Sequence, residues 1–113
     1  MTILDEASQA TSSDRPASYG HPIDHFTRTV GLVNARFAHK LREPLVPEDW
    51  PVIMILDKIA RGAHSYKRDN LVDIAGYART EEMVREVQEE RRREESKNEA
   101  RVWERVPLSA ALL

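Results

Sequence analysis

Cysteine is absent from this 113-residue chain, which excludes disulfides, thiolate zinc sites and cysteine nucleophiles. No apolar run approaches the roughly 18 residues that a membrane-spanning helix needs. The N-terminal residues also lack the basic start and apolar stretch of a signal peptide. The four glycines are scattered, so no glycine-rich phosphate loop is present. We therefore expect a cytoplasmic protein without a membrane segment.

The charge balance argues against nucleic acid as the main partner. The formal net charge is −2, with 32% of the residues charged, so no general basic field exists. A chain of this length forms one small domain. The remaining candidates are small ligands and other protein chains.

The sequence divides into three parts. Residues 1–18 are polar, show no apolar periodicity and predict a flexible arm, or alternatively an arm that folds over a partner subunit. Residues 19–87 contain the core: apolar spacing predicts helices over 23–41, from about 47 to about 64, and from about 69 onward. Pro51 is expected to kink the second helix or delay its start.

Residues 88–113 form a charged extension. Glu, Lys and Arg occupy 16 of the 25 positions from 81 to 105, which predicts a solvated helix or a fraying tail. A small apolar patch follows at Val102, Trp103 and Val106, and the chain ends with Leu108, Leu112 and Leu113. These residues are either exposed or docked on a neighbouring subunit.

The predicted fold is all-α, a small bundle of three core helices with a charged helical extension. Three helices in about 60 residues give a marginal core. We therefore expect a homo-oligomer in which the second and third helices pack across the interface.

Two carboxylates at the start of the third helix are candidate metal ligands. Asp69 and Asp73 are four residues apart, which puts them on one face of a helix, where they could share Mg²⁺. The alternative is structural: Asp69 caps the helix and Asp73 pairs with a base. Asp57, on the largely apolar second helix, is either a third ligand or a residue at the helix margin.

A basic cluster precedes these carboxylates. Lys58, Arg61 and His64 are spaced one turn apart, and Lys67 and Arg68 follow in the next loop. They suit the phosphates of a ligand, or else neutralise the nearby aspartates. Tyr19 is a candidate for stacking on a base, or a packing anchor at a helix entry.

Three segments resemble a family of short phage and prophage proteins of uncharacterised function. The segments are Tyr19-Gly20-His21-Pro22 with Phe26, the stretch from Leu56 to Arg61, and the stretch from Arg68 to Ala78. That family is similar to the MazG-like all-α nucleoside triphosphate pyrophosphohydrolases. The resemblance covers about residues 19–80.

The resemblance implies a nucleotide ligand, Mg²⁺ and hydrolysis of a (d)NTP to a monophosphate and pyrophosphate. Asp73 would then be a catalytic metal ligand. Asn70 stands where that family has a Glu, so Asp69 would replace the missing carboxylate, and Asp57 would be a third ligand. Lys58, Arg61, Lys67, Arg68 and Tyr19 would bind substrate. Because no Glu-x-x-Glu pair of the kind found in that group lies on the first or second core helix, a non-catalytic helical module that holds a nucleotide or a protein stays the alternative. A phage-encoded protein of either kind would act in the host cytoplasm.

Overall fold

The computed structural model describes residues 1–12 and 20–105, which form four helices with no strand among them. The helices are α1 (Ile3–Ser12), α2 (Pro22–Phe37), α3 (Asp49–His64) and α4 (Arg68–Arg105). The fold is therefore all-α, as the sequence predicts. Self-association stays a prediction at this point.

The long helix α4 is the scaffold of the molecule. The other three helices all pack against it, and α2 also contacts α3. Val84 on α4 is fully buried and packs with Ile23 and Phe26 of α2, while Trp50 of α3 and Val87 border this cluster. The core is thus small and lies where three helices meet.

The turn into α2 explains how that helix reaches the core. Gly20 has φ +78°, a left-handed conformation that glycine adopts without strain. His21 then caps the helix, its Nδ1 accepting a hydrogen bond from the Ile23 N–H at 3.1 Å, and Pro22 occupies the first helical position. This turn directs Ile23 and Phe26 onto α4.

The Asn34 side chain ties the end of α2 to the segment that leads into α3. The Asn34 amide donates to the Leu45 carbonyl at 2.9 Å and accepts from the Leu45 N–H at 2.8 Å. Helix α3 starts at Asp49, so the expected delay at Pro51 does not occur. Pro51 is the third residue of α3, where the N–H has no intrahelical partner in any case.

Residues 3–12 correct the expectation of a flexible arm over 1–18. They form α1, which packs on α4 with Ala7 and Thr11 buried. Thr2 and Asp5 start this helix with reciprocal hydrogen bonds: the Thr2 N–H donates to the Asp5 carboxylate at 3.0 Å, and the Thr2 hydroxyl oxygen accepts from the Asp5 N–H at 3.1 Å. This is a capping box, which satisfies two backbone donors at once.

The charged extension is the second half of α4. Its residues are helical to Arg105, and all of those from 91 to 105 are exposed, including Val102 and Trp103. Val106, Leu108, Leu112 and Leu113 lie outside the described residues. Across the described parts of the chain, no helix combines the length and apolarity needed to cross a bilayer.

Candidate functional site

An ion pair links α3 to α4 at the centre of the predicted site. Lys58 Nζ lies 3.0 Å from the Asp73 carboxylate, with the Lys58 side chain only 15% exposed and that of Asp73 44% exposed. The methylene stem of Lys58 is therefore buried between the two helices while its ammonium group reaches the half-exposed carboxylate. This is the geometry of the structural alternative, in which Asp73 pairs with a base.

Asp57 and Arg61 form a second pair on the surface of α3. The Arg61 Nε donates to the Asp57 carboxylate at 3.1 Å across one helical turn. Because the Arg61 side chain is 62% exposed, its other guanidinium N–H groups are available to solvent or a ligand.

The remaining predicted residues are distributed around the start of α4. Asp69 lies exposed in the first turn, one residue after the helix begins, and so is not the cap of α4. Arg68 pairs with Glu6 of α1 and donates to the Met1 carbonyl at 2.9 Å, which directs it toward α1. Tyr19 lies outside the described residues.

The basic residues at the junction of α3 and α4 line an open pocket. We call it the basic pocket, and its lining is Arg61, His64, Ser65, Lys67 and Asn70. Asn70 is only 8% exposed as a residue, and it lines this pocket. Its side-chain amide carries both a donor and an acceptor that a polar ligand in this pocket could use.

A second pocket lies at the opposite end of the contact between α3 and α4, which we call the α3–α4 seam. We call it the aromatic pocket; it has a volume of about 240 Å³ and is lined by Gly20, Pro22, His25, Phe26, Trp50, Tyr77 and Thr80. Its volume is below the roughly 300–1,000 Å³ typical of sites for complete drug-sized ligands. It therefore suits one flat group of a larger ligand, such as a base.

The two pockets lie along the same side of α4. Asn70 and Tyr77 are seven residues apart, which is two helical turns and about 10 Å. Asp73 lies between them in sequence and is joined there to Lys58. The three segments that resemble phage proteins thus come together: the first and third line the aromatic pocket, and the Lys58–Asp73 pair joins the second and third.

Sequence reasoning identified the basic cluster but missed the aromatic pocket and the burial of Asn70. Trp50 and Tyr77 belong to different helices, and their proximity depends on how α3 packs on α4. The available signal was Asn70 itself, a polar residue in the apolar part of a motif.

The three predicted metal ligands do not converge in this arrangement. Asp57 and Asp73 each pair with a cation, and the described residues include no group of three or more His, Asp or Glu placed to hold a metal ion. The metal role of Asp57, Asp69 and Asp73 stays a prediction.

Comparison with known proteins places the chain in a family. Residues 2–85 match the family model described as "Domain of unknown function (DUF6378)". The "Gene 55 protein" of Mycobacterium phage L5 is 37% identical over 92 residues, which cover 80% of this chain and 57% of the relative. The "Gene 55 protein" of Mycobacterium phage D29 is 36% identical over 86 residues, covering 75% and 54%.

The chain therefore spans about half the length of these curated relatives. No solved structure matches it significantly. The expected resemblance to phage proteins of uncharacterised function is confirmed, and the matched residues include α1 and both pockets but exclude the charged half of α4.

Proposed function

The chain belongs to the DUF6378 family, and we propose that it binds a nucleotide along the α3–α4 seam. The phosphates occupy the basic pocket and the base occupies the aromatic pocket. The observation that supports this most is the basic pocket, where Arg61, His64 and Lys67 share the lining with the amide of Asn70.

The basic pocket has the chemistry that phosphate oxygens require. Arg61 and Lys67 supply charge-assisted donors, and the hydroxyl of Ser65 and the amide of Asn70 supply neutral ones. The pocket also adjoins the N-terminus of α4, whose dipole favours negative charge. A polyphosphate would accept a hydrogen bond from the Asn70 amide.

The aromatic pocket accounts for the base. Trp50, Tyr77 and Phe26 provide flat faces on which a base can stack, and Thr80 provides a hydroxyl. The separation of about 10 Å along α4 is comparable with the distance from a base to its outer phosphates. Lys58, midway between the pockets, would then turn from Asp73 toward the α-phosphate.

Hydrolysis is the further step that the MazG-like resemblance implies. The present side-chain arrangement supports the binding of a nucleotide. Mg²⁺-dependent cleavage is a separate prediction that needs its own test. As a relative of mycobacteriophage proteins, the chain is expected to meet its nucleotide in the cytoplasm of the infected cell.

The test uses the fluorescence of Trp50. The chain has two tryptophans, so Trp103→Phe leaves Trp50 as the single reporter. Titration with each (d)NTP is expected to change its emission, while pyrophosphate release is followed with and without Mg²⁺ in the same samples. Lys67→Ala should weaken triphosphate binding about tenfold, the loss of one charge-assisted contact of about 1.5 kcal/mol.

Two matched variants complete the test. Lys40→Ala removes an exposed lysine from the turn after α2 and should leave the affinity unchanged. Tyr77→Leu should weaken the binding of nucleotides but not the binding of inorganic triphosphate. Equal effects of Lys67→Ala and Lys40→Ala, or the absence of any Trp50 response, would contradict the proposal.

A further inference from the structure

The outer face of α3 is apolar and uncovered in the described part of the chain. Four large side chains on it are exposed by 43% (Val52), 36% (Ile53), 59% (Leu56) and 53% (Ile59). The side toward α4 also carries apolar residues, with Pro51 buried and Met54 and Ile55 partly buried, so apolar residues lie on two sides of the helix. Such a helix is characteristic of a buried element rather than a surface one.

The geometry of the helix makes this face continuous. At 3.6 residues per turn, the four exposed large apolar residues fall on one side, and Lys58, which pairs with Asp73 of α4, falls on the other. The outer face consists of Val52, Ile53, Leu56, Ile59, Ala60 and Ala63. Its length from first to last residue is about 16 Å.

We infer that the outer face of α3 is the contact surface for a second copy of this chain, with the two α3 helices antiparallel and Leu56 at the two-fold axis. This inference does not rest on the nucleotide proposal. The reason for choosing a second copy is that the face is complementary to itself, as a two-fold interface must be.

Charge provides the first part of that complementarity. The first turn of α3 contains Asp49 and the last turn contains Arg61 and His64. In an antiparallel pair centred on Leu56, the acidic end of one helix lies beside the basic end of the other. A parallel pair would place acidic ends together and basic ends together, which is unfavourable.

Side-chain size provides the second part. The antiparallel register places Val52 opposite Ala60 and Ile53 opposite Ile59 of the second copy. Each large residue near the start of the face therefore meets an equal or smaller residue near its end. The small alanines allow the two backbones to approach, and Leu56 meets its own symmetry mate at the centre.

The first measurement is the mass of the full-length chain in solution. At micromolar concentration, sedimentation should give twice the 13.0 kDa of a single chain. Leu56→Glu places two like charges at the axis and should reduce the mass to that of one chain, with unchanged helical circular dichroism. The matched control is Leu32→Glu on α2, which is 73% exposed and should leave the dimer intact.

Cross-linking tests the same idea without a destabilising charge. Because the chain has no cysteine, Leu56→Cys introduces a single thiol, and oxidation should form a disulfide-linked dimer much faster than with Leu32→Cys. A mixture of Val52→Cys and Ala60→Cys chains should cross-link to each other rather than to themselves.

Three results would overturn the inference. They are a wild-type monomer at high micromolar concentration, equal cross-linking rates for the Leu56 and Leu32 thiols, and preferential self-linking of Val52→Cys. The first result is also the one expected when residues 106–113 of the same chain cover the face.

Discussion

Replacing Asp73 by Asn separates the structural and metal-binding roles of this carboxylate. The substitution keeps the side-chain shape and removes the partner of Lys58, whose ammonium group is 3.0 Å away. An exposed ion pair stabilises a protein by roughly 0.2–1 kcal/mol, and removal of one partner of a buried pair costs about 3–5 kcal/mol. Since Lys58 is mostly buried but Asp73 is 44% exposed, we expect a loss of about 1 kcal/mol.

That loss can be measured by denaturant or thermal unfolding. For a domain of this size it corresponds to a melting temperature lower by about 3–6 °C. Asp73→Asn, Lys58→Met and the double variant form a thermodynamic cycle, in which Met retains most of the apolar stem. The coupling free energy should be about 1 kcal/mol. A coupling near zero would refute the ion pair as a stabilising contact.

The same variant gives opposite ligand results for the two roles. Asp73→Asn removes a negative charge beside the proposed phosphate path and frees Lys58, so nucleotide affinity should rise by about threefold to tenfold without dependence on Mg²⁺. A carboxylate that binds Mg²⁺ directly would instead be essential, and its loss would abolish Mg²⁺-dependent binding. That second outcome would refute our interpretation of the seam and support the metal role.

Three further substitutions and one truncation test the fold. Gly31→Ala in α2 should stabilise the protein by about 0.5–1 kcal/mol in thermal unfolding, because a Cβ there meets no atom within 4 Å; a loss of stability would contradict this packing. Val84→Ala should cost about 2 kcal/mol in urea unfolding, since Val84 is fully buried; a negligible loss would show that the core lies elsewhere. Hydrogen bonds from the Thr2 hydroxyl and then the Thr2 N–H lower the pKa of Asp5 below its ordinary 3.8, so the ionised cap stabilises α1 above that value and is lost as the pH falls through the lowered pKa. The protection factors of the α1 amides, which compare the measured exchange with the intrinsic rate at each pH, should therefore fall in the wild type as the pH drops below the ordinary pKa, and Asp5→Asn should remove this pH dependence. Truncation after Gln88 should leave the melting temperature nearly unchanged, because residues 91–105 are exposed throughout; a large drop would identify the extension as an assembly element.

The sequence predicts α2 and α3 because their apolar residues recur at helical spacing over more than two turns. Both predicted helices lie within a few residues of the observed ones, and the largest difference is the end of α2 at Phe37 instead of residue 41. Periodicity succeeds here because each helix presents a face to α4 that is wide enough to be visible in the sequence.

Periodicity fails for α1 because that helix is short and only slightly apolar. It has ten residues, of which only Ala7 and Thr11 are buried, and a small residue on a close-packed face leaves no hydrophobic pattern. The signal that was present is the spacing of Thr2 and Asp5, the pattern of a capping box. Arg68, expected at the ligand, pairs with Glu6 of this missed helix, and its role in substrate binding stays a prediction.

The candidate site was predictable in its charges but not in its shape. Basic spacing identifies Arg61 and Lys67 from the sequence alone, and the alternative of a pair between Asp73 and a base was also visible. The aromatic pocket depends on the approach of Trp50 to Tyr77, which arises from the packing of α3 on α4 and from no local pattern.

The two sides of α3 make the ligand site and the proposed dimer experimentally separable. Lys58 lies on the side that packs against α4, and Leu56 lies on the outer face, although the residues are only two apart in sequence. A charge at Leu56 should therefore change the mass of the particle without altering the response of Trp50 emission to added nucleotide. Lys58→Met should instead reduce the Trp50 response and leave the mass unchanged. If both variants instead lose nucleotide affinity and dimer mass together, the second copy contributes to the site, and the α3–α4 seam of one chain is insufficient for binding.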